Sequence, residues 1–568
     1  MSHAAEAGQP ALMLRIAQLC CGLALGWGVL EPVVADDPTT DVAVERRDCL
    51  KATDLDGGLH RIAAGCGRHG TALVFLSTTC PISNTYLPQL KTTAARCRRH
   101  KIDFFGVIAD SAVTRAEAIR HRDEFQLDFP VLFDVSGTLR RELKATHTPQ
   151  AIVLSKTGEV VYSGRIDDLY GDLGSKRTSA SMHELRDALK SLSCDESVAV
   201  ASTTPIGCLL EDPPVEGAAE DVTFNRDIAP ILYANCSGCH RPGEGTPFSL
   251  LSYADACQHG AQIAAVTQSR FMPPWHPESG FGHFQNERRL SQAEIGLIRQ
   301  WVEVGKPEGD AADTLAPPEF ATGWRLGKPD LILTMKEAFE LHADGPDVHQ
   351  HFVLTTGIPK DRLVSAVEFR PGNPAVAHHA CFYLDTTGAA RMLQAQESDV
   401  GYGSFVGPGF DNVGALRSWL PGMMPQHLPS GTGQLLPAHS DVVLEIHYRP
   451  SGKVESDRSV VGIHFASRSA KYLVGEIQVM NKALTIPAGA AEHRHTSSFT
   501  IPVDTALLDV LPHMHLLGRE MKAVATRPDG VQVPLVWIRK WDFNWQDQYL
   551  YADPVMLPRG SRIDVEAV

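Results

Sequence analysis

A chain of 568 residues is too long for one hydrophobic core and predicts three or four domains. Its 43% hydrophobic and 21% charged content describes ordinary globular material, not disorder or a membrane bundle. A formal net charge of −15 argues against nucleic acid and anionic lipid as partners, because both need cationic surface.

Residues 1–35 read as an export signal. Arg15 precedes an apolar run from Ile16 to Leu30, and Val33, Val34 and Ala35 supply small residues before Asp36. The run is short and interrupted by Gly, so no stable membrane span is expected after signal removal, and the destination is periplasmic or otherwise extracytoplasmic. The cysteines are unevenly spread: eleven of 12 lie at or before Cys257 and only Cys381 follows, so the C-terminal half folds without internal disulfides.

Residues 44–193 alternate strand and helix patterns. Thr71–Leu76, Ile102–Ala109, Pro130–Phe133 and Ala151–Leu154 are short apolar runs suited to buried strands. Lys156–Glu159 turns the chain into Val160–Tyr162, and a helix pattern follows Cys80-Pro81-Ile82-Ser83. This order predicts a mixed α/β sheet, with Cys80 at the positive pole of a helix where thiolate is favoured. The turn at Cys80 and Thr148-Pro149 before a strand resemble the thioredoxin-like superfamily, in its exported redoxin branch. The resemblance implies a catalytic Cys80 and a cis proline at Pro149. Ser83 replaces the second cysteine of a dithiol pair, and Leu73 and Ser77 stand where a peroxidatic motif would carry Pro and Thr. Cys97 and Cys194 are the distant thiols open to a resolving role, with a structural role as the alternative for each. The same fold kept only for binding is the other alternative.

Residues 194–221 form a linker of Ala, Pro and acidic residues, in which Cys208 has no assigned role. Residues 222–310 carry helical patterns, including a capping box at Ser291 and Glu294. Between them lies Cys236-Ser237-Gly238-Cys239-His240, the pattern of covalent haem c attachment, in which two thiols bond the vinyl groups and His240 ligates iron. A zinc half-site would need a second ligand pair nearby, and none follows at that spacing. A small all-α cytochrome c domain is therefore expected. Met272, in a Met-Pro-Pro-Trp-His run, is the favoured sixth ligand and His276 its competitor.

From Pro329 the pattern turns to short alternating strands, such as Leu331–Met335, Leu363–Phe369, Val442–Tyr448 and Val460–Phe465. Two antiparallel β-sandwich lobes are expected, 329–470 and 471–568. His513-Met514-His515 follows the apolar Leu507–Leu511 and is expected at a strand's buried end. On a strand, His-x-His projects both imidazoles to one face, a compact pair for copper or zinc.

Ala377-His378-His379, Glu445-Ile446-His447-Tyr448 and Pro512-His513-Met514-His515-Leu516-Leu517-Gly518 together resemble the copper type II, ascorbate-dependent monooxygenases of the peptidylglycine-hydroxylating group. The resemblance implies an electron-transfer copper on His378, His379 and His447. It implies a second copper on His513 and His515, binding dioxygen to hydroxylate a C–H bond of a small organic substrate, with ascorbate or another electron donor as reductant. His349, His351, His493 and His495 match no ligand position and are expected at the surface. The family's second site also needs a methionine beyond the His-x-His; Met521 and Met556 are poorly placed, and the chain ends at Val568 in a strand pattern, so a truncated chain is expected. Leu511 stands where peptide-hydroxylating members carry arginine, which argues against a peptide substrate. The whole resembles a bacterial fusion of redoxin, cytochrome c and copper monooxygenase. The rival readings are a thiol-dependent peroxide reductase using Cys80, with a redox partner protein, and a non-catalytic haem and copper electron carrier.

Overall fold

The computed structural model describes residues 50–62, 69–212, 221–397, 400–404, 407–467, 469–481, 483–543 and 545–568. The export signal expected at 1–35 lies outside them. Among the described residues no helix is long and apolar enough to cross a membrane.

The redoxin region is built on a five-stranded sheet in the order Val131–Phe133, Ile102–Ile108, Gly70–Leu76, Gln150–Ser155, Val160–Gly164. The first three strands run parallel and the last two antiparallel. Gly70–Leu76 is buried along its whole length, as a central strand covered on both faces must be. Helices Pro81–Arg99 and Glu184–Ser193 pack Tyr86, Leu87, Leu90, Leu185 and Leu192 against one face. This is a thioredoxin-like α/β domain, and its strands start and stop within two residues of the apolar runs that announced them. The segment expected to be linker differs. Val198, Ile206 and Cys208 pack on the redoxin core, and Leu210 is buried in it.

The next unit is helical: Ala229–Asn235, Tyr253–Gln258, Gly260–Gln268 and Gln292–Glu303 surround Ile228, Leu232, Ile263, Ile298 and Trp301. Ser291 and Glu294 form the expected capping box. Residues 275–285 leave this unit. Trp275 and Phe284 join the core of the C-terminal lobe, with bridges Pro277↔Ile538 and Phe284↔Tyr551. A run so rich in aromatic surface needs more cover than four short helices provide.

Residues 329–473 form a sandwich of two five-stranded sheets. One is ordered Leu331–Thr334, Val460–Phe465, Arg362–Arg370, Thr432–Leu436, Tyr472–Leu473; the other Tyr402–Gly403, Val348–Thr355, Asp441–Tyr448, Ala377–Asp385, Ala415–Trp419. Phe382, Leu436, Leu444, Ile446, Tyr448 and Ile463 fill the space between them. The last lobe has a four-stranded sheet, His495–Thr500, Arg562–Ala567, Met521–Thr526, Gln532–Ile538, beside the pair Thr505–Val510 and Tyr549–Leu557. The strand Arg562–Ala567 is paired on both sides, with His495–Thr500 and Met521–Thr526.

A buried ion pair ties the redoxin side to the helical unit. Lys306 Nζ donates to Glu211 Oε2 (3.1 Å), Asp212 O (2.7 Å) and Cys257 O (3.0 Å), while Glu211 Oε1 accepts from the Ala261 and Gln262 amides. Removing one partner strands a buried charge, so Glu211→Ala should destabilise the fold by about 3–5 kcal/mol, read as a lowered urea midpoint, while Lys156→Ala at an exposed ion pair should keep the wild-type midpoint.

Candidate functional sites

Cys80 is the N-cap of the helix Pro81–Arg99, at the end of the central strand. It is buried, its Sγ donates to Thr148 O (3.1 Å), and the Thr148–Pro149 peptide is cis. Burial alone would push this thiol up. The Cys208 side chain and the backbone amides of Ser83, Cys208 and Ile82 outweigh it and bring Cys80 down to about 7. Ser83, the residue standing for the missing dithiol partner, turns its hydroxyl inward to accept from Ser77 N (3.2 Å). The nearest thiol is Cys208, not Cys97 or Cys194. Cys97 lies near the far end of the same helix, about 25 Å along its axis, where burial pushes it up to about 12. Cys194 is exposed at the end of Glu184–Ser193. No sequence signal marks Cys208, since its strand is only two residues long.

The second site is a triangle of imidazoles. His379 and His447 face each other across the antiparallel strands Ala377–Asp385 and Asp441–Tyr448. Consecutive strand residues normally point to opposite faces, yet His378 and His379 point to the same place. The register slips between Ala377 and His379, and this irregularity brings both rings to one side. The Nδ1 atoms stand 3.3 Å (His378–His379), 3.2 Å (His378–His447) and 3.3 Å (His379–His447) apart. Hydrogen bonds serve such a triangle poorly, since a proton placed on one edge crowds the others. Three nitrogens about 2.0 Å from one ion in tetrahedral array would stand about 3.3 Å apart, so the geometry fits a metal ion bound by neutral imidazoles. Enclosure holds His379 down at about 3 and lowers His447 as well, which keeps both neutral.

Carboxylates surround the triangle. Asp347 Oδ2 meets His447 Nε2 at 3.1 Å and Arg449 Nε at 3.2 Å, and its other oxygen meets Lys176 Nζ of the redoxin domain at 3.4 Å. Despite burial, these partners hold Asp347 well below the usual carboxylate range. Glu445 bonds His349 Nδ1 and the Tyr383 hydroxyl, each at 2.9 Å. His349 and His351, expected at the surface, are therefore part of this neighbourhood: His351 is fully buried, and the His349 ring stacks on His447 at 4.3 Å. Their strand, Val348–Thr355, pairs with the one bearing His447, a long-range register that spacing does not reveal.

Cys236, Cys239 and His240 form a tight turn, with His240 N bonded to Cys236 O (2.9 Å). His240 Nδ1 faces Phe248 O at 3.3 Å, which leaves Nε2 as the lone-pair nitrogen, the arrangement an axial ligand needs. The turn rests on the first sandwich lobe: Gly422 lies so close that a Cβ there would be 2.3 Å from Cys239 Sγ. Met272, half-buried, follows the helix Gly260–Gln268 with its amide bonded to Val266 O (3.0 Å). A cleft of about 430 Å³ beside the turn is lined by Arg241, Glu244, Phe320, Arg325, Trp419 and Met424.

His513 and His515 differ from expectation. They sit on an exposed loop after Thr505–Val510, not at a strand's buried end, with ring centroids 5.1 Å apart. The apolar run stops short because the chain leaves the sheet at Leu511, itself exposed.

The sheet order and the N-cap cysteine define a thioredoxin-like redoxin domain. Residues 47–163 match the AhpC/TSA family. No curated protein matches the chain. Similar solved structures include a hypothetical protein from Sinorhizobium meliloti 1021, 20% identical over 29% of this chain and 91% of that one, TM-score 0.27. An uncharacterized conserved protein from Geobacillus kaustophilus is 19% identical over 30% and 92%, TM-score 0.26. A secreted Mycobacterium tuberculosis disulfide oxidoreductase homologous to E. coli DsbE is 18% identical over 26% and 95%, TM-score 0.19.

Asp347 orients His447 through the nitrogen that faces away from the triangle. Asp347→Asn should weaken copper or zinc binding at the triangle by about 10–100-fold in competition dialysis, while His379→Ala should abolish it.

Proposed function

We propose that the chain is an exported oxidoreductase in which a copper-dependent monooxygenase unit, hydroxylating a C–H bond with dioxygen, is fed by electrons through haem c. The observation that carries this reading is the Nδ1 triangle of His378, His379 and His447, with neighbouring nitrogens 3.2–3.3 Å apart. Imidazole donors suit copper, and a copper held there supplies one-electron chemistry.

This chain's residues then have defined parts. Asp347 fixes the orientation of His447 and keeps Nδ1 as the donor. Glu445 and His349 brace the ring from its other side. Cys236, Cys239 and His240 would hold the haem, with Met272 as the favoured sixth ligand, and a haem so ligated carries electrons and binds no substrate. A short connection supports passage from one site to the other. Cys239 touches Gly422, which lies just beyond the strand Ala415–Trp419, and Trp419 pairs with Ala380, next to His379. His513 and His515, exposed and therefore open to substrate, would hold the second copper.

A second reading rests on the acidified Cys80, the property a thiol peroxidase requires. It predicts that peroxide turnover collapses in Cys80→Ser.

Metal analysis of the haem-loaded chain, with oxygen uptake measured under ascorbate, tests the first reading. Two coppers per chain and substrate-dependent oxygen consumption are expected. One copper, with haem reduction but no oxygen uptake, would leave an electron carrier in its place. Full peroxide turnover in Cys80→Ser would remove the thiol-enzyme reading.

A further inference from the structure

The segment 206–210 lies beyond the redoxin sheet in sequence, yet it is seated on the redoxin active site. Cys208 and Leu209 pair antiparallel with Thr148 and His147, and Leu210 N bonds Thr146 O at 2.9 Å. Gly207 permits the approach: a Cβ there would lie 2.1 Å from Thr148 O and 3.0 Å from Pro149 Cδ, so a larger residue would lift the strand off. Cys208 thus stands opposite the one residue whose carbonyl accepts from Cys80 Sγ. Cys208 is itself largely buried there, and the neighbouring Cys80 together with that burial holds its thiol well above the usual range. The strand is fixed at its other end on the helical unit, through Leu209 N to Gln262 Oε1 (2.9 Å) and through the Glu211–Lys306 pair.

We propose that Cys80 and Cys208 are a redox pair, in which a strand from outside the redoxin sheet supplies the second thiol that Ser83 does not. An added strand presenting its cysteine to an N-cap thiolate has the form of a bound peptide substrate that never leaves. The exchange runs with an external disulfide R–S–S–R as oxidant. The Cys80 thiolate attacks one sulfur; the external S–S bond breaks, one RS⁻ leaves, and a mixed Cys80–S–S–R disulfide forms. Cys208, deprotonated, attacks Cys80 Sγ and expels the second RS⁻. Two cysteine thiols lose two electrons, the external disulfide becomes two thiols, and the two protein protons end on the two RSH. The reverse sequence reduces the pair with an external dithiol. The inference does not depend on copper or on oxygenase activity.

Equilibrating the full haem-loaded chain with glutathione disulfide, quenching with acid and alkylating free thiols tests it. Cys194 and Cys208 fall in one tryptic peptide, so cleavage after Glu196 with a glutamyl endopeptidase is added to separate them. The expected product under non-reducing mass spectrometry is a Cys80–Cys208 linked peptide pair, retained in Cys97→Ser and Cys194→Ser. In Cys208→Ser, glutathionylated Cys80 should accumulate instead, because no second thiol is left to expel the glutathione. Wild-type chain that yields only glutathionylated or reduced Cys80, or Cys80 linked to another cysteine, would overturn the pair. The wild-type peptide map decides the matter even if Cys208→Ser fails to fold.

Discussion

The register that sets His379 opposite His447 is the constraint on which the largest part of the structure turns. A slip of one residue would send His447 to the other face of its strand and separate the triangle. The register is secured by burial. Asp441–Tyr448 is buried at every position, and Phe382, Leu444, Ile446 and Tyr448 fill the sandwich core. Each such large side chain contributes about 1.5–3 kcal/mol, so the hydrophobic core holds the imidazoles in place at far greater total strength than the imidazoles could hold themselves. The local irregularity at Ala377–His379 interrupts the regular pairing of these two strands, and it aims His378 at the same point.

Around that triangle the other units are arranged at close range. The redoxin domain reaches it through Lys176, which meets Asp347, and the loop Lys453 meets Glu124 on the redoxin side. The haem-motif turn reaches the same sheet through Gly422 and Trp419. The exposed Lys453–Glu124 pair contributes little stability by itself, and the partly buried Lys176–Asp347 contact is long at 3.4 Å. Their value is positional, because Asp347 is shared between a redoxin lysine and a histidine of the triangle. The thiol site is built on the same logic of borrowed parts. Its acidity depends on backbone amides of its own helix and on Cys208 from a segment beyond the sheet.

Much of this was legible in the residues. The strand Gly70–Leu76 is a nearly continuous apolar run, the pattern of a strand covered on both faces. The capping box at Ser291 and Glu294 is a local hydrogen-bond pattern, readable because its partners are three residues apart. His349 and His351 were misplaced at the surface because their burial comes from pairing with Asp441–Tyr448, far along the chain. His513 and His515 were misplaced in the opposite sense, since an apolar run does not say where the sheet ends. Cys208 was invisible for a related reason: a two-residue strand has no period.

The sequence by itself determined the parts list: an N-cap cysteine without a local partner, a Cys-x-x-Cys-His turn, a pair of adjacent histidines, and alternating strands to carry them. Each is a short-range pattern, set by helix polarity, strand alternation or the reach of neighbouring side chains. Tertiary structure alone decided which parts meet. It brought Cys208 to Cys80, Asp347 to His447, Gly422 to Cys239, and residues 275–285 to the last lobe. These contacts join positions tens to hundreds of residues apart, and they exist only because burying apolar surface forces distant strands into one register.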